Sequence, residues 1–390
     1  MTNQLFQRAR LLTVGGVIAA SAALTAQSPV FSSFTPLAGS AGPTADESMP
    51  VTLSNPLFGQ QSIIERSAQL AAGIPNSGNF DMNTVNETGM YKGRYLFTVF
   101  ETGQGGVQRH DLHTGQTDTV WIAPTSGTHV SFDACFWTPW GTLITAEESW
   151  STAAGGSTSP FGRLFELRNP LDAPGIVGPI TATSNDNADF VHRNIVPRTS
   201  HEGIQFDNEG NMYFFDELNG GNIYKYRSAA KMRDVSVGAA DYFEAGQTFV
   251  LRVGDGNTPN ATGAYTWVPF TDKFGAALPG ALVITDTNGV TSVDARNTTD
   301  LPAFKGTDYQ RPEDLQLKRV GRKDFLYIAT TTTHEVRAGP HGPDHLGLRQ
   351  PEHHRPGHGP ARRDRAQQPR QPRRRPRGQH LHRRGPKRRR

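Results

Sequence analysis

Acidic residues recur at the ends of short apolar runs in this chain, and no other pattern in it has more chemical potential. Glu147-Glu148 follows Leu143-Ile144-Thr145-Ala146. Ser200-His201-Glu202 precedes Phe206, and Asp216-Glu217 closes Met212-Tyr213-Phe214-Phe215. Arg311-Pro312-Glu313-Asp314 opens a further run. Each has a local reading: a solvated turn for Glu147-Glu148, a turn cap for Asp216-Glu217, and an ion pair between Arg311 and Glu313. Taken together they occupy similar points in successive repeats, so repeats set around one axis would bring them to one mouth. Packed carboxylates repel one another unless cations lie between them. A ring of hard oxygen donors suits Ca²⁺, and carboxylates with some nitrogen can hold Fe or Mn. Glu147, Glu148, Glu202, Asp216, Glu217 and Glu313 are therefore candidate metal ligands. His201, beside an acid, reads as a hydrogen-bonded orienter rather than a ligand. Trp137, Trp140 and Trp150 either form a substrate platform or pack between sheets, the second being their ordinary role.

The elements that must position these residues are β-strands. The runs are β-branched or aromatic, four to eight residues long, and bounded by Gly, Asn and Asp. Copies begin at Arg94, Phe132, Glu202 and Glu313, with a weaker one at Gly280–Asp286. Helical periodicity is scarce, and Ser62–Leu70 is the one short helix expected. Self-similar β units at irregular spacing predict an all-β chain built as a β-propeller with long loops at Ser151–Ser159 and Gly254–Gly263. A β-sandwich accounts for the strands but not for the repeated acid after a strand.

The 390 residues include 41 Gly, 27 Pro and one cysteine, Cys135, so turns are plentiful and no internal disulfide forms. Arg8 and Arg10, the apolar run Leu11–Leu24 and the small Ala26 predict a signal peptide over 1–26, too short to span a membrane comfortably. Residues 27–50 read as a loose linker. Export to the periplasm or medium of a bacterium is expected, as a monomer with no membrane span after cleavage.

The net charge of +4 hides two opposed regions. From Arg337 to Arg390 there are 17 Lys+Arg against 3 Asp+Glu, which leaves 23 basic and 33 acidic residues before it. An acidic body suits cations better than nucleic acid. The basic segment lacks Ile, Val, Phe, Tyr, Trp, Met, Ser, Thr and Asn, so it cannot bury a core and reads as a disordered tail. It starts in mid-repeat, and Arg, Pro, Gln and His share codons beginning with C. Advanced by one base, Gln368 to Arg389 permits the string SPDNLAVDPEGNIYIAEDQNGG. That string parallels SHEGIQFDNEGNMYFFDELNGG from Ser200 to Gly221. A frameshift is the expectation. The organised part, 51–336, is then an incomplete propeller that stops short of closing its sheet edges, and nucleic-acid binding through the tail has little support.

The ordered motifs resemble the PhoX-type alkaline phosphatases. Trp140-Gly141-Thr142 leads to Ala146-Glu147-Glu148, followed by Ser200-His201-Glu202. Asp216-Glu217 with Tyr224-Lys225-Tyr226 comes next, and Arg311-Pro312-Glu313 closes the set. The resemblance spans about residues 85 to 336. It implies a six-bladed propeller whose iron and calcium cluster hydrolyses small phosphate monoesters. Carried over, Glu202 and Glu313 would be iron-cluster ligands and catalytic. Glu148 and Asp216 would help bind Ca²⁺, with Glu147 and Glu217 nearby, and Arg311 would bind the substrate phosphate. The chain departs from the family where the iron-ligating cysteine is replaced by Ala146, which removes the thiolate expected for Fe³⁺. Arg8-Ala9-Arg10 also lacks adjacent arginines. A calcium-binding propeller without catalysis, serving as a binding or cell-surface module, is the competing expectation.

Overall fold

The apolar runs fold into antiparallel sheets made from consecutive strands. The first sheet joins β1 (Phe80–Val85), β2 (Tyr95–Phe100), β3 (Gly106–Asp111) and β4 (Thr117–Ile122) in that order. The second joins β5 (Phe132–Trp137), β6 (Leu143–Glu147), β7 (Leu164–Leu167), β8 (Asp186–Asn187) and β9 (Phe190–His192), with β8 at its edge. The third contains β10 (Gln205–Phe206), β11 (Asn211–Phe215), β13 (Ile223–Ser228), β14 (Gly246–Val253) and β15 (Tyr265–Pro269). Between its strands, β12 (Asn219–Gly221) leaves to pair with the later β18 (Tyr309–Gln310), and β16 (Val283–Thr285) forms a hairpin with β17 (Thr291–Val293). The fourth sheet joins β19 (Pro312–Val320), β20 (Lys323–Thr330), β21 (Glu335–Pro340) and β22 (Gly347–Arg349).

This computed structural model describes residues 37–39, 46–54, 58–149, 159–172, 186–187, 189–237, 240–286, 288–321, 323–331, 335–340 and 347–349. The expected signal peptide, most of the expected linker, Trp150, most of the Ser151–Ser159 loop and most of the basic segment lie outside the described residues. The sheet boundary expected at 336 falls within β21, whose pairing with β20 continues to Pro340. Among the described residues helix is confined to α1 (Arg66–Ala71), which overlaps the stretch expected and ends one residue beyond it, and α2 (Ala295–Thr298), apart from one turn of 3-10 helix at Met232–Asp234. Among the described residues no helix is long and apolar enough to cross a membrane.

The apolar runs are continuous because both faces of the strands are buried. Side chains alternate across a strand. In β6, Leu143 joins a cluster with Phe97, Trp121, Phe132 and Phe165 between the first and second sheets. Its neighbours Ile144 and Ala146 join a different cluster, with Ile204, Met212, Phe214 and Tyr224, between the second and third. In β11, Met212 and Phe214 face the second sheet, while Tyr213 and Phe215 pack with Leu251, Leu315 and Ile328 toward the fourth. The four sheets therefore stack face to face in chain order. The tryptophans pack within this stack. Trp137 stacks on Phe97 at 5.7 Å, and Trp140 stacks on Tyr242 at 4.7 Å and donates its indole N–H to Glu166.

Candidate metal centre

Three of the four sheets begin with the same backbone device. Asn79 and Ser131 each have φ 45° and Arg311 has φ 49°, a left-handed conformation that costs energy for residues with a Cβ. The next residue of each, Phe80, Phe132 or Pro312, pairs with Phe100, Glu147 or Thr330 on the second strand. The following pairs are Asn83 with Thr98, Cys135 with Thr145, and Leu315 with Ile328. The first strand thus advances one residue more than its partner, which is a β-bulge in every case. Bulges re-aim side chains, and the residue entering each one is acidic: Asp81, Asp133 or Glu313.

The second strands complete the pattern. As they leave the ladder, the N–H groups of Glu101, Glu148 and Thr331 donate to the carbonyls of Asn79, Ser131 and Arg311 at 2.9, 2.7 and 3.1 Å. The third sheet does the same with Glu217, whose N–H donates to the Ser200 carbonyl at 3.0 Å. Backbone bonds then tie sheet to sheet: Ser131 N–H to Thr102, His201 N–H to Glu147 and Gly203 N–H to Glu313. Gly203 permits the last approach, since a Cβ there would lie 2.7 Å from Asp314 Oδ1 and 2.9 Å from the Leu315 nitrogen.

The result is a continuous set of carboxylates. Oxygens of Asp81, Glu101 and Asp133 lie within 4.8 Å of one another, as do those of Asp133, Glu148 and Glu202, and those of Glu202, Glu217 and Glu313. Asp133 and Glu202 are shared between neighbouring groups. Just beyond the acids, residues 82–85, 135–136, 204–205 and 314–317 of the four first strands line one cavity of about 490 Å³. The acids gather at one end of the strands that share this cavity.

Burial and mutual repulsion act together here. Burial first, then the charge of Asp133, pushes Glu202 up to about 12. Burial pushes Asp133 up to about 8. Glu148 rises to about 11 through burial and then Glu217, and Asp81 to about 6 through burial and then Glu101. The donor set fits a hard divalent cation. All donors are carboxylate oxygens, and Asp133 Oδ1 and Glu217 Oε2, on side chains 2 % and 1 % exposed, have no hydrogen-bond partner among the described residues. The set does not fit a thiolate-bridged iron. Ala146 is buried in the apolar cluster with Ile144 and Leu164. Cys135 is buried between the first two sheets, its Sγ 3.8 Å from the Phe97 carbonyl, and burial raises its thiol.

Four of the six expected ligands meet: Glu148, Glu202, Glu217 and Glu313. Glu147 and Asp216 do not, because consecutive residues of a strand point to opposite sides. Glu147 is fully buried and accepts from the Arg163 guanidinium at 2.5 and 2.8 Å, and from the N–H groups of Val130, Gly162 and Arg163. Arg163 in turn approaches Asp286, which pairs with Arg198. Gly162 has φ 90°, and a Cβ there would meet the Thr199 carbonyl at 2.3 Å. Asp216 accepts the Ser200 N–H at 3.0 Å, and burial pushes it up to about 7. Both acids hold backbone in place. Glu147→Gln leaves Arg163 buried beside a neutral partner. It is expected to lose about 3–5 kcal/mol in denaturant unfolding, with the number of bound Ca²⁺ ions unchanged in a calcium titration.

Asp81, Glu101 and Asp133 were not among the expected ligands. Glu101 closes Tyr95–Phe100 as Glu148 and Glu217 close their strands, so the repeat itself carried that signal. Asp81 and Asp133 are placed by bulges, which leave no mark in the pattern of residues. Arg311 lies beside the acids. Its Nη2 pairs with Glu217 and lies 3.1 Å from Glu313, and its side chain is 33 % exposed. Among the described residues it is the one basic side chain ion-paired with the cluster. His201 is buried, its ring 5.4 Å from that of Phe214, and burial holds it down to about 3, as a neutral imidazole.

The comparisons with known proteins agree with the ordered motifs. The family model described as alkaline phosphatase PhoX matches residues 110–371, a range that runs past Val336 into the basic segment. No curated protein matches the chain. Among solved structures the chain is similar to one described as a gluconolactonase from a structural-genomics programme. The two are 14% identical with a TM-score of 0.25, over 66% of this chain and 73% of that one. With more than half of its length matched by the family model, the chain belongs to the PhoX alkaline phosphatase family.

Proposed function

We propose that this protein is an exported, metal-dependent phosphomonoesterase built as a β-propeller, with Ca²⁺ held among Glu148, Glu202, Glu217 and Glu313. The observation that carries the reading is the meeting of acids from successive sheets beside one cavity, with, among the described residues, a single guanidinium at their edge. Face-to-face stacking of four- and five-stranded antiparallel sheets in chain order supports the propeller. The acidic body and the N-terminal Arg8, Arg10 and Leu11–Leu24 support export to the periplasm or medium.

Bound cations would neutralise the phosphate and acidify an attacking water. The chain's own groups do the rest. Glu202 and Glu313, from neighbouring sheets, would hold the ions, and the burial of Glu202 keeps bulk water from its side. Arg311, part exposed beside Glu217 and Glu313, offers a planar donor face to two phosphate oxygens and orients the ester. The basic segment 337–390 is read as out of frame, and its specific binding to nucleic acid is not part of this function.

The replacement of the thiolate position by Ala146 favours a second reading, a calcium-bound propeller without catalysis. Hydrolysis of p-nitrophenyl phosphate by the purified chain, with Ca²⁺ and after chelation, separates the two. Turnover that disappears on chelation and returns with Ca²⁺ is expected. Thermal stabilisation by Ca²⁺ with no turnover establishes the second reading instead.

A further inference from the structure

We propose that Lys225, with Arg227 beside it, forms a reactive-amine site that captures small anionic aldehydes and ketones as imines. Neither residue belongs to the candidate metal centre. Tyr224 and Tyr226 pack in the cluster between the second and third sheets, so strand parity turns Lys225 and Arg227 to the other face of β13. There Lys225 is the register partner of Tyr213 and Phe249. Its ammonium lies 4.4 Å from the centre of the Trp267 ring and 5.5 Å from that of Phe249. The Arg227 guanidinium lies 5.2 Å from the same Phe249 ring. Two cations thus share one aromatic, and among the described residues neither is ion-paired with a carboxylate. Lys225 is half-buried and Arg227 is exposed, so the pair opens to solvent on one side.

The neighbouring groups leave the amine available. Asp207 and Glu209, from the turn before β11, attract its charge. Asp207 is already occupied by the N–H groups of Glu209 and Asn211, the Asn211 amide and the Tyr213 hydroxyl, and Glu209 is exposed to water. Tyr213 is held neutral by burial, Tyr265 packs on Trp267, and the fourth sheet adds the apolar Leu326 and Ile328. Burial, and then the charge of Arg227, push Lys225 down to about 8. At pH 7.5 about a quarter of the amine is unprotonated, against roughly one in a thousand for an ordinary lysine. Its nitrogen lone pair attacks the carbonyl carbon, a proton passes from nitrogen to oxygen, and the C–O bond breaks to leave the imine and water. The Arg227 guanidinium supplies the fixed charge that holds a phosphate or carboxylate on the same molecule.

The test exposes the full chain to pyridoxal phosphate, fixes imines with borohydride and measures the label on each lysine by peptide mass spectrometry. At pH 7.5 Lys225 should be labelled about tenfold or more faster than the exposed Lys92, Lys231 and Lys273. Its rate should rise with pH through a midpoint near 8. Arg227→Gln should slow labelling of Lys225 by pyridoxal phosphate about tenfold and leave labelling by pyridoxal, which lacks the phosphate, within about threefold. Labelling of Lys225 no faster than that of the three reference lysines in the native chain overturns the site. Equal losses with the two aldehydes in Arg227→Gln overturn its assignment to anionic carbonyl compounds.

Discussion

Arg311→Ala is expected to lower kcat/KM for p-nitrophenyl phosphate by about 10²–10³-fold, while Ca²⁺ binds as tightly as before or tighter. The two halves of this result come from one geometry. The guanidinium lies beside Glu217 and Glu313, where it offers charge-assisted bonds to a phosphate and competes as a cation for the same carboxylates. Removing it takes away phosphate recognition and also removes a positive neighbour of the metal site. A residue that merely held the strand would instead weaken Ca²⁺ binding and lower the unfolding temperature. Lysine keeps the charge but not the planar pair of donors, so Arg311→Lys should recover only part of the loss. Turnover within about threefold of the native value in Arg311→Ala would rule out the phosphate clamp.

Chelation should make stability fall as pH rises from 6.5 to 8, and Ca²⁺ should abolish that fall. The carboxyls of Glu202 and Asp133 are raised by burial to about 12 and about 8, above their values in an unfolded chain. In this interval the folded, metal-free protein therefore holds more protons than the unfolded one, and its stability decreases with pH. That contribution is complete near pH 4 and is lost as pH climbs through the folded values. Buried His129 and His201, lowered to about 4 and about 3, act in the opposite direction. Their contribution levels off once an unfolded histidine is neutral, about one unit above its value of about 6.5, and it offsets only part of the loss. Lys225, lowered by burial to about 8, enters only at the top of the interval. Each nearly buried carboxyl contributes up to about 1.4 kcal/mol per pH unit, so a loss of about 2–4 kcal/mol is expected. Glu148, more open to water, adds less. Thermal unfolding with and without chelator at both pH values measures it. A metal-free protein whose stability is level or rises with pH would mean that the acids are not held together.

The strands were legible because each run is apolar on both faces, as Met212–Phe215 is, and buried on both. The acids after β6 and β11 were legible too, since a charge at the end of such a run must leave the core. Which of two adjacent acids turns toward the neighbouring sheets was not. Glu147 and Glu148 differ only by strand parity, and the guanidinium that claims Glu147 comes from Arg163, sixteen residues away. Asp216 and Glu217 divide in the same way, one onto the Ser200 N–H and the other into the cluster.

The types of ligand, the order of the repeats and the absence of a thiolate at Ala146 follow from the amino-acid sequence, because they depend on residue identity and strand period alone. The convergence of Asp81, Glu101 and Asp133 with Glu202 and Glu313 was decided by tertiary structure. Bulges and left-handed residues set the direction of Asp81, Asp133 and Glu313, and both are backbone states selected by how the sheets stack. Charges brought this close acquire their properties from one another and from burial, so neither the raised carboxyls nor the site they form belongs to any single segment of the chain.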